Sequence, residues 1–219
     1  MFRLCSVLLI LLSAPANAQT LTGPIRVIDA DTFDIGAPST MRLLGIDAAE
    51  DAQTCGGAGG AVVACGAMAT DAARALYEGR QAVCTAHERD VYDRFLGTCR
   101  VDGRDVGADL VGRGLARRYR DDPRYAAEER AARAAGRGLW AYEMQDPAEW
   151  RADRRAERIE DFAPTGECAI KGNISGSGRI YHVPGSRSYD GTRIDEAAGE
   201  RWFCTEGEAL AAGWRAPRG

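Results

Sequence analysis

The segment RLLGIDAAE brings Arg42, Asp47 and Glu50 close together in the chain. Asp31 lies upstream of it in VIDADTFDI, and Arg94 lies downstream in RDVYDRFLG. Hydrolysis of a phosphodiester needs carboxylates that hold a hard cation, a group that positions water, and cations that neutralise the phosphate. The residue types in these fragments include every one of those groups.

The residue types also suggest how the roles divide. Asp31 and Asp47 suit a cation, Glu50 suits a water molecule, and Arg42 and Arg94 suit a phosphate. Each residue taken singly has a more ordinary interpretation, in which Asp31 caps a turn and Arg42 forms a surface ion pair with Asp47. The five together, in this order, favour a site that handles a phosphate and a cation.

Residues 1 to 18 read MFRLCSVLLILLSAPANA, with a basic start, a short apolar run and a small-residue end. This pattern predicts a cleaved signal peptide, and its apolar run is too short for a membrane anchor. We therefore expect an exported protein, either periplasmic or secreted, without a stable membrane anchor. The oligomeric state stays open.

The six cysteines that follow the predicted signal peptide are expected to form disulfides. An even number of cysteines in an oxidising compartment favours disulfides over metal sites. Local spacing favours neighbouring pairs, which are Cys55 with Cys65, Cys84 with Cys99, and Cys168 with Cys204. The alternative, in which some thiols remain free and buried, stays open.

The remaining pattern favours an α+β fold. Alternating apolar residues predict one group of strands over 23–46 and a second pair over 81–90 and 94–103. Helical spacing predicts three helices, over residues 68–79, 105–116 and 123–140. Strands, a helix, more strands and two helices indicate an antiparallel sheet or a small barrel. The net charge of −4 disfavours a protein that coats nucleic acid nonspecifically.

The motifs DADT, RLLGIDAAE and DVYDR, followed by GLA and a segment ending GLW, resemble the thermonuclease (staphylococcal nuclease-like) family. The resemblance covers roughly residues 22–140. It implies an OB-fold, a five-stranded antiparallel β-barrel with packed helices, here predicted over residues 19–145. It also implies Ca²⁺-dependent attack of water on DNA or RNA. The alternative is an OB-fold module that binds nucleic acid or envelope polysaccharide without catalysis.

The resemblance assigns a role to each matching residue. The implied ligands of Ca²⁺ are the carboxylates of Asp31 and Asp47 and the main-chain carbonyl of Ala48. The implied catalytic and substrate-binding residues are Glu50 as general base or water orienter, Arg42 and Arg94 on the scissile phosphate, and Tyr92 on the nucleotide. The choice between DNA and RNA, and between endo and exo cleavage, stays open.

The chain departs from the family pattern at four positions. Ala30 stands where the family has glycine, and Ala48 and Ala49 stand where it has a polar residue and proline. Asp93 stands where the family has glycine, directly before Arg94. We expect this extra carboxylate either to pair with Arg94 or to repel the incoming phosphate.

Residues 146–166 predict a charged helical linker, and residues 167–219 predict a small α/β unit. Its motifs KGNIS, YHVPG, ERWF and EALAAGWR resemble small zinc-binding domains attached to bacterial DNA-repair regulators and nucleases. Ser186 stands near one cysteine position of those domains, so we predict a zinc-free unit stapled by Cys168–Cys204. Three roles stay open for this unit: an anchor to the envelope, a passive cap with solvated arginines, or added nucleic-acid affinity through Arg179, Arg187, Arg193 and Arg201.

Overall fold

The computed structural model describes residues 18–162 and 168–217, and of Phe162 only the main chain. The predicted signal peptide lies outside these residues except for Ala18. Within the described ranges, no helix combines the length and the apolar character needed to cross a bilayer.

Short strands make up much of the chain up to residue 118. In chain order they are β1 (Gln19–Pro24), β2 (Arg26–Asp29), β3 (Thr32–Asp34), β4 (Met41–Leu43), β5 (Ile46–Asp47), β6 (Cys55–Gly56), β7 (Val62–Val63), β8 (Gln81–Arg89), β9 (Phe95–Val101), β10 (Arg104–Asp105) and β11 (Arg117–Arg118). Two further two-stranded ladders, β5 with β11 and β6 with β7, lie outside the main sheet.

The main sheet has the strand order β1-β8-β9-β4-β3-β2, with β10 beside β9. Its two edge strands, β1 and β2, follow each other in the chain with only Ile25 between them. The sheet therefore curls strongly, into a half-barrel. The expected antiparallel arrangement needs one correction, because β4 and β9 pair in parallel. The sheet also has seven strands, although β1 and β2 act as one bent strand and β10 is only two residues long.

The first two of three helices pack against this sheet and complete its core, and the third packs against the second. The helices are α1 (Cys65–Tyr77), α2 (Val106–Gly112) and α3 (Ala126–Ala134), and helical turns occur at Ala58–Gly60 and Gly138–Ala141. The core contains fully buried Phe33 and Met41 from the sheet and Leu110 from α2. Burial of side chains of this size contributes roughly 1.5–3 kcal/mol each. The predicted α+β class is thus confirmed.

The carboxyl-terminal part of the chain forms a second sheet with a core of its own. It follows α4 (Pro147–Phe162) and contains β12 (Ile170–Ser175), β13 (Gly178–His182), β14 (Arg201–Phe203), a turn at Glu196–Ala198 and α5 (Glu206–Ala211). The strand order is β13-β12-β14, all antiparallel. Phe203 and Trp214 pack edge to face in the core of this unit, with ring centroids 5.1 Å apart. An ion pair of 3.0 Å between Arg155 and Glu206 joins α4 to the unit.

The three disulfides form with the pairing that the spacing favours. Cys84 and Cys99 lie opposite each other on β8 and β9, so their bridge ties neighbouring strands. The Cys55–Cys65 disulfide closes the loop that follows RLLGIDAAE. The Cys168–Cys204 disulfide joins the start of the carboxyl-terminal unit to the end of β14. A disulfide stabilises chiefly by restricting the unfolded chain.

The start of α1 lies directly against the main chain at Glu50. The amide of Gly66 donates a hydrogen bond of 3.0 Å to the carbonyl of Gln53. A β-carbon at Gly66 would overlap the carbonyl oxygen of Glu50. Only glycine permits this close approach, so the position of Glu50 depends on residue 66 having no side chain.

We expect Gly66→Ala to lower the free energy of unfolding by about 1–3 kcal/mol, because the added methyl group forces main-chain segments apart. Gly112→Ala is the matched control, because a β-carbon there meets its nearest neighbour only at 3.9 Å. This control is expected to be neutral or slightly stabilising. Chemical denaturation of the oxidised proteins measures both changes, and a Gly66→Ala variant as stable as wild type would contradict the prediction.

Candidate active site

Asp31 lies in the tight turn that joins β2 to β3. Asp29, the last residue of β2, caps this turn and accepts a hydrogen bond of 2.9 Å from the amide of Asp31. The side chain of Asp31 is buried. Its Oδ2 accepts from the amide of Ala48 at 2.9 Å, and its Oδ1 accepts from the hydroxyl of Thr32 at 2.8 Å.

RLLGIDAAE folds as two short strands joined by a turn at Gly45, whose φ of +85° favours glycine. Arg42 lies on β4, and Asp47 ends β5 in a buried position. The Arg42 guanidinium bridges two carboxylates, with Nη1 2.8 Å from Asp31 Oδ1 and Nη2 2.6 Å from Asp47 Oδ1. Because the Arg42 side chain is only 16% exposed, this is a buried bridge and not the surface ion pair of the ordinary interpretation.

The main chain at Glu50 is held by Gln53, a fully buried residue that the sequence patterns did not indicate. The amide of Gln53 donates to the Glu50 carbonyl at 2.7 Å, and Gln53 Oε1 accepts from the Glu50 amide at 3.3 Å. Gln53 Nε2 donates to the carbonyl of Gln145 at 2.8 Å. The Glu50 side chain is 38% exposed and therefore reaches solvent from a fixed main chain.

Arg151, on α4, is a member of the site that the sequence analysis missed. Its Nη2 lies 3.0 Å from Asp47 Oδ2, and its Nη1 lies 2.8 Å from Glu50 Oε1. No spacing rule connects it to RLLGIDAAE, since it lies 104 residues beyond Asp47. The linker was predicted to be helical, but none of its arginines was assigned to the site.

Arg94 precedes β9 and is held by Asp90, another residue that the sequence analysis left unassigned. Asp90 Oδ2 accepts from Arg94 Nε and pairs with Nη2, both at 2.7 Å. Asp90 Oδ1 accepts from the main-chain amides of Tyr92 and Arg94 at 2.9 and 3.0 Å. The exposed ring of Tyr92 lies 5.3 Å from the Arg94 guanidinium carbon.

Asp93 does not pair with Arg94, contrary to one of the two expectations for this position. Its carboxylate pairs with Arg89 at 2.8 Å, and its carbonyl accepts from Arg89 and from Ser39. Its φ of +64° lies in the left-handed region. Glycine and aspartate both tolerate that region better than most residues, which accounts for the exchange at this position.

One cleft of about 820 Å³ is lined by Arg42, Glu50, Tyr92, Arg94 and Arg151. Its arginines are Arg42, Arg89 and Arg94 from the curled sheet and its loops, Arg151 and Arg155 from α4, and Arg187 from the carboxyl-terminal unit. Its acidic residues are Glu50, Glu88 and Asp90. The cleft therefore presents more positive than negative side chains, a balance that suits a phosphate-bearing ligand.

Burial makes the ionised forms of Asp31 and Asp47 costly, because it removes their hydration. It raises the pKa of Asp31 from an ordinary 3.8 to about 6, although Arg42 acts in the opposite direction. Burial also raises the pKa of Asp47. For Arg42, burial opposes the charged form, but Asp31 and Asp47 outweigh it and raise the pKa of the guanidinium. An additional cation beside Asp31 and Asp47 would offset the cost of keeping them ionised.

The donor chemistry of this pair fits a hard cation. Asp31 and Asp47 offer only carboxylate oxygens, and the neighbouring main chain at Ala48 adds a carbonyl; oxygen is the ligand atom that Ca²⁺ prefers. Over residues 18–162 and 168–217, no group of three or more histidine, cysteine, aspartate or glutamate side chains is gathered as a metal site. The carboxylates instead contact Arg42 and Arg151.

We expect the free energy of unfolding of metal-free Asp31→Asn, measured relative to wild type, to rise by up to about 3 kcal/mol between pH 4 and pH 8, because the pKa of Asp31 is raised on folding. The folded protein binds this proton more tightly than the unfolded chain, so wild type loses stability as pH rises from about 4 to 6. The unfolding free energy of the variant relative to wild type should therefore be lower at pH 4.5 than at pH 8. Thermal denaturation in a chelator at both pH values measures it.

Asp34→Asn is the control for this prediction, because the amide of Gly36 and the guanidinium of Arg26 lower the pKa of Asp34. That variant should lose stability at high pH, and the loss should fade as pH falls through the lowered value. A difference in unfolding free energy between metal-free Asp31→Asn and wild type that stays the same at pH 4.5 and pH 8 would contradict the prediction.

Comparison with known proteins gives a family match and matches to individual relatives. Residues 40–142 match the family described as staphylococcal nuclease homologue. Protein ParB of Escherichia coli is 31% identical over 179 residues, covering 73% of this chain and 96% of that protein. Succinoglycan biosynthesis protein ExoI of Rhizobium meliloti (strain 1021) is 37% identical over 127 residues, covering 56% of this chain and 66% of that protein.

A third relative is the probable staphylococcal-like nuclease CAN1 of Oryza sativa subsp. japonica, 31% identical over 119 residues. That match covers 52% of this chain but only 33% of the rice protein. The chain thus spans nearly all of one relative, just under two thirds of another and a third of the last. With its curled sheet, its packed helices and these matches, the chain belongs to the staphylococcal nuclease homologue family.

Proposed function

We propose that this protein is an exported, calcium-dependent nuclease that hydrolyses phosphodiester bonds of DNA or RNA by attack of water. The observation that carries the proposal is that Arg42, Arg94 and Glu50 line one cleft and that Arg42 pairs with the buried Asp31 and Asp47. Membership of a family of nuclease homologues supports it, as does a relative named as a probable nuclease.

Asp31, Asp47 and the carbonyl of Ala48 are the residues that would hold Ca²⁺. When bound, the cation would neutralise negative charge that develops on the phosphate. The buried position of both carboxylates supports this role, because an uncompensated buried charge strengthens the attraction for a cation.

Glu50 is the proposed base, because its carboxylate is partly exposed and its main chain is fixed by Gln53. A carboxylate in this setting takes a proton from the attacking water or orients that water. Arg42 and Arg94 would donate hydrogen bonds to the phosphate oxygens, an interaction that strengthens as charge builds in the transition state. Tyr92, exposed beside Arg94, would seat the nucleotide.

We assign residues 19–145 to an OB-fold barrel, residues 146–166 to a helical linker and residues 167–219 to a small carboxyl-terminal domain. Two separate hydrophobic cores support the division. The edge strands β1 and β2, which are consecutive in the chain, support the barrel. The signal peptide over residues 1–18 remains a prediction. The three disulfides support an extracytoplasmic location, in the periplasm or the medium.

A non-catalytic binding role for nucleic acid or envelope polysaccharide is the second candidate. Two observations favour it: one relative is named for succinoglycan biosynthesis, and Asp47 and Glu50 are both engaged by Arg151. A pure binding module needs no base at the position of Glu50. Hydrolysis measurements on variants of that residue therefore separate the two candidates.

The test is hydrolysis of single-stranded DNA and RNA by the oxidised protein without residues 1–18, in Ca²⁺ or in chelator. Glu50→Gln is expected to lower kcat by at least about 100-fold, since it removes the proton acceptor. Glu88→Gln is the matched control, because Glu88 lines the same cleft without an assigned role. Absence of calcium-dependent cleavage by wild type would favour the binding module.

We expect Asp90→Asn to lower kcat/KM by about tenfold, because asparagine has a single acceptor oxygen and cannot accept from both the Arg94 guanidinium and the main-chain amides of Tyr92 and Arg94, so the guanidinium is no longer aimed. Asp93→Asn should stay within about threefold of wild type, because Asp93 pairs with Arg89 and asparagine tolerates a positive φ. Steady-state kinetics on one oligonucleotide compares them. An equal loss in both variants would show that Asp93 acts on Arg94 after all.

A further inference from the structure

The guanidinium of Arg151 makes a bidentate contact with Asp47 and also contacts Glu50. Arg151 Nη2 lies 3.0 Å from Asp47 Oδ2, and Nη1 lies 3.2 Å from Asp47 Oδ1 and 2.8 Å from Glu50 Oε1. Charge-assisted, two-pronged contacts of this kind are among the stronger interactions that side chains make. Arg151 thus engages one proposed calcium ligand and the proposed base at the same time.

Both oxygens of Asp47 are already occupied in this arrangement. Oδ1 accepts from Arg42 and Arg151, and Oδ2 accepts from Arg151. A carboxylate oxygen that binds a metal ion directly cannot keep a full set of N–H donors, because cation and donors compete for the same lone pairs. One acceptor position of Oδ2 remains, but a cation bound there would lie beside the Arg151 guanidinium and repel it, so direct ligation by Asp47 favours withdrawal of a guanidinium.

Arg151 is better placed to withdraw than Arg42. Arg42 is 16% exposed, lies on a strand between two others and bridges both buried aspartates. Arg151 is 27% exposed and reaches the site from α4, outside the main sheet. Arg155, four residues further along α4, pairs with Glu206, so the helix has an anchor independent of Arg151.

The net charge of the site also favours withdrawal of Arg151 when a divalent cation binds. Asp31, Asp47 and Glu50 are three carboxylates, and Arg42 and Arg151 are the two guanidiniums that contact them, which leaves one negative charge. A divalent cation added to this group would leave an excess positive charge and would repel a neighbouring guanidinium. With Arg151 withdrawn, the same cation brings the group to neutrality.

We infer that Arg151 is an internal cation that holds Asp47 and Glu50 in the metal-free protein and that calcium binds by displacing it. This inference rests on the proposed function, because it assumes the calcium role of Asp31 and Asp47. Arg151 lowers the calcium affinity of the site, and it keeps the Glu50 carboxylate in an ion pair until calcium arrives. Calcium binding and release of the base are thereby linked through one side chain.

The test is calorimetric titration of the oxidised protein with CaCl₂, which reads binding and not activity. Arg151→Gln is expected to bind calcium at least about tenfold more tightly than wild type, since a charge-assisted contact no longer has to be broken. Arg151→Lys, which keeps the charge but not the fork, should gain less. Arg155→Gln is the matched control and should stay within about threefold, because Arg155 lines the cleft but pairs with Glu206.

Unchanged or weaker calcium binding by Arg151→Gln would overturn the inference. Equal increases in calcium affinity in Arg151→Gln and Arg155→Gln would also overturn it. They would show that loss of any nearby positive charge has this effect, whether or not the arginine contacts the carboxylates. If Arg151→Gln does not fold, Arg151→Lys serves as the test. Severalfold tighter calcium binding by that variant would support the inference, and an unchanged Kd would overturn it. Absence of calcium binding in every variant would overturn both the inference and the calcium role, whereas cleavage of nucleic acid in chelator would test hydrolysis separately.

Discussion

The burial of Asp31 and Asp47 is the constraint on which the rest of this structure depends. An ionised carboxylate that leaves water without partners costs several kcal/mol, so both groups require hydrogen-bond donors or cations. The donors come from separate elements: Arg42 on β4, the amide of Ala48 after β5, and Arg151 on α4. The turn before β3 must therefore lie beside β4, and α4 must return to the site.

The same constraint explains why the site combines a rigid and a movable half. Gln53 and the close approach of Gly66 fix the main chain at Glu50, and the Cys55–Cys65 disulfide closes the loop between them. Arg94 and Arg151, by contrast, reach the cleft on long side chains held only by ion pairs. Arg94 pairs with Asp90, and Arg151 pairs with Asp47 and Glu50. Rigid carboxylates with adjustable arginines suit a ligand that carries its own negative charge.

Sequence reasoning reached the residues whose relation is local or set by strand register. Arg42, Asp47 and Glu50 lie within one short motif, and Asp31 follows because Thr32 and Arg42 are partners across β3 and β4. It could not reach Arg151, whose partner Asp47 lies 104 residues away, and it did not single out Gln53, which joins Glu50 to Gln145, 92 residues further along the chain. It expected Asp93 either to pair with Arg94 or to repel the phosphate, whereas the left-handed turn at Asp93 directs that carboxylate to Arg89, and Arg94 pairs with Asp90.

Side chains from the carboxyl-terminal part of the chain, beyond the family match, contact or line the candidate site. The family match ends at residue 142, before α4 begins, and α4 carries both Arg151 to the carboxylates and Arg155 to Glu206. Arg187 extends the same cleft from the far unit. Asp47 and Glu50 lie within the family match, whereas Arg151, which pairs with both, lies beyond it. The charge state of the site is thus a property of both parts of the chain together, because neither part alone contains the complete set of partners.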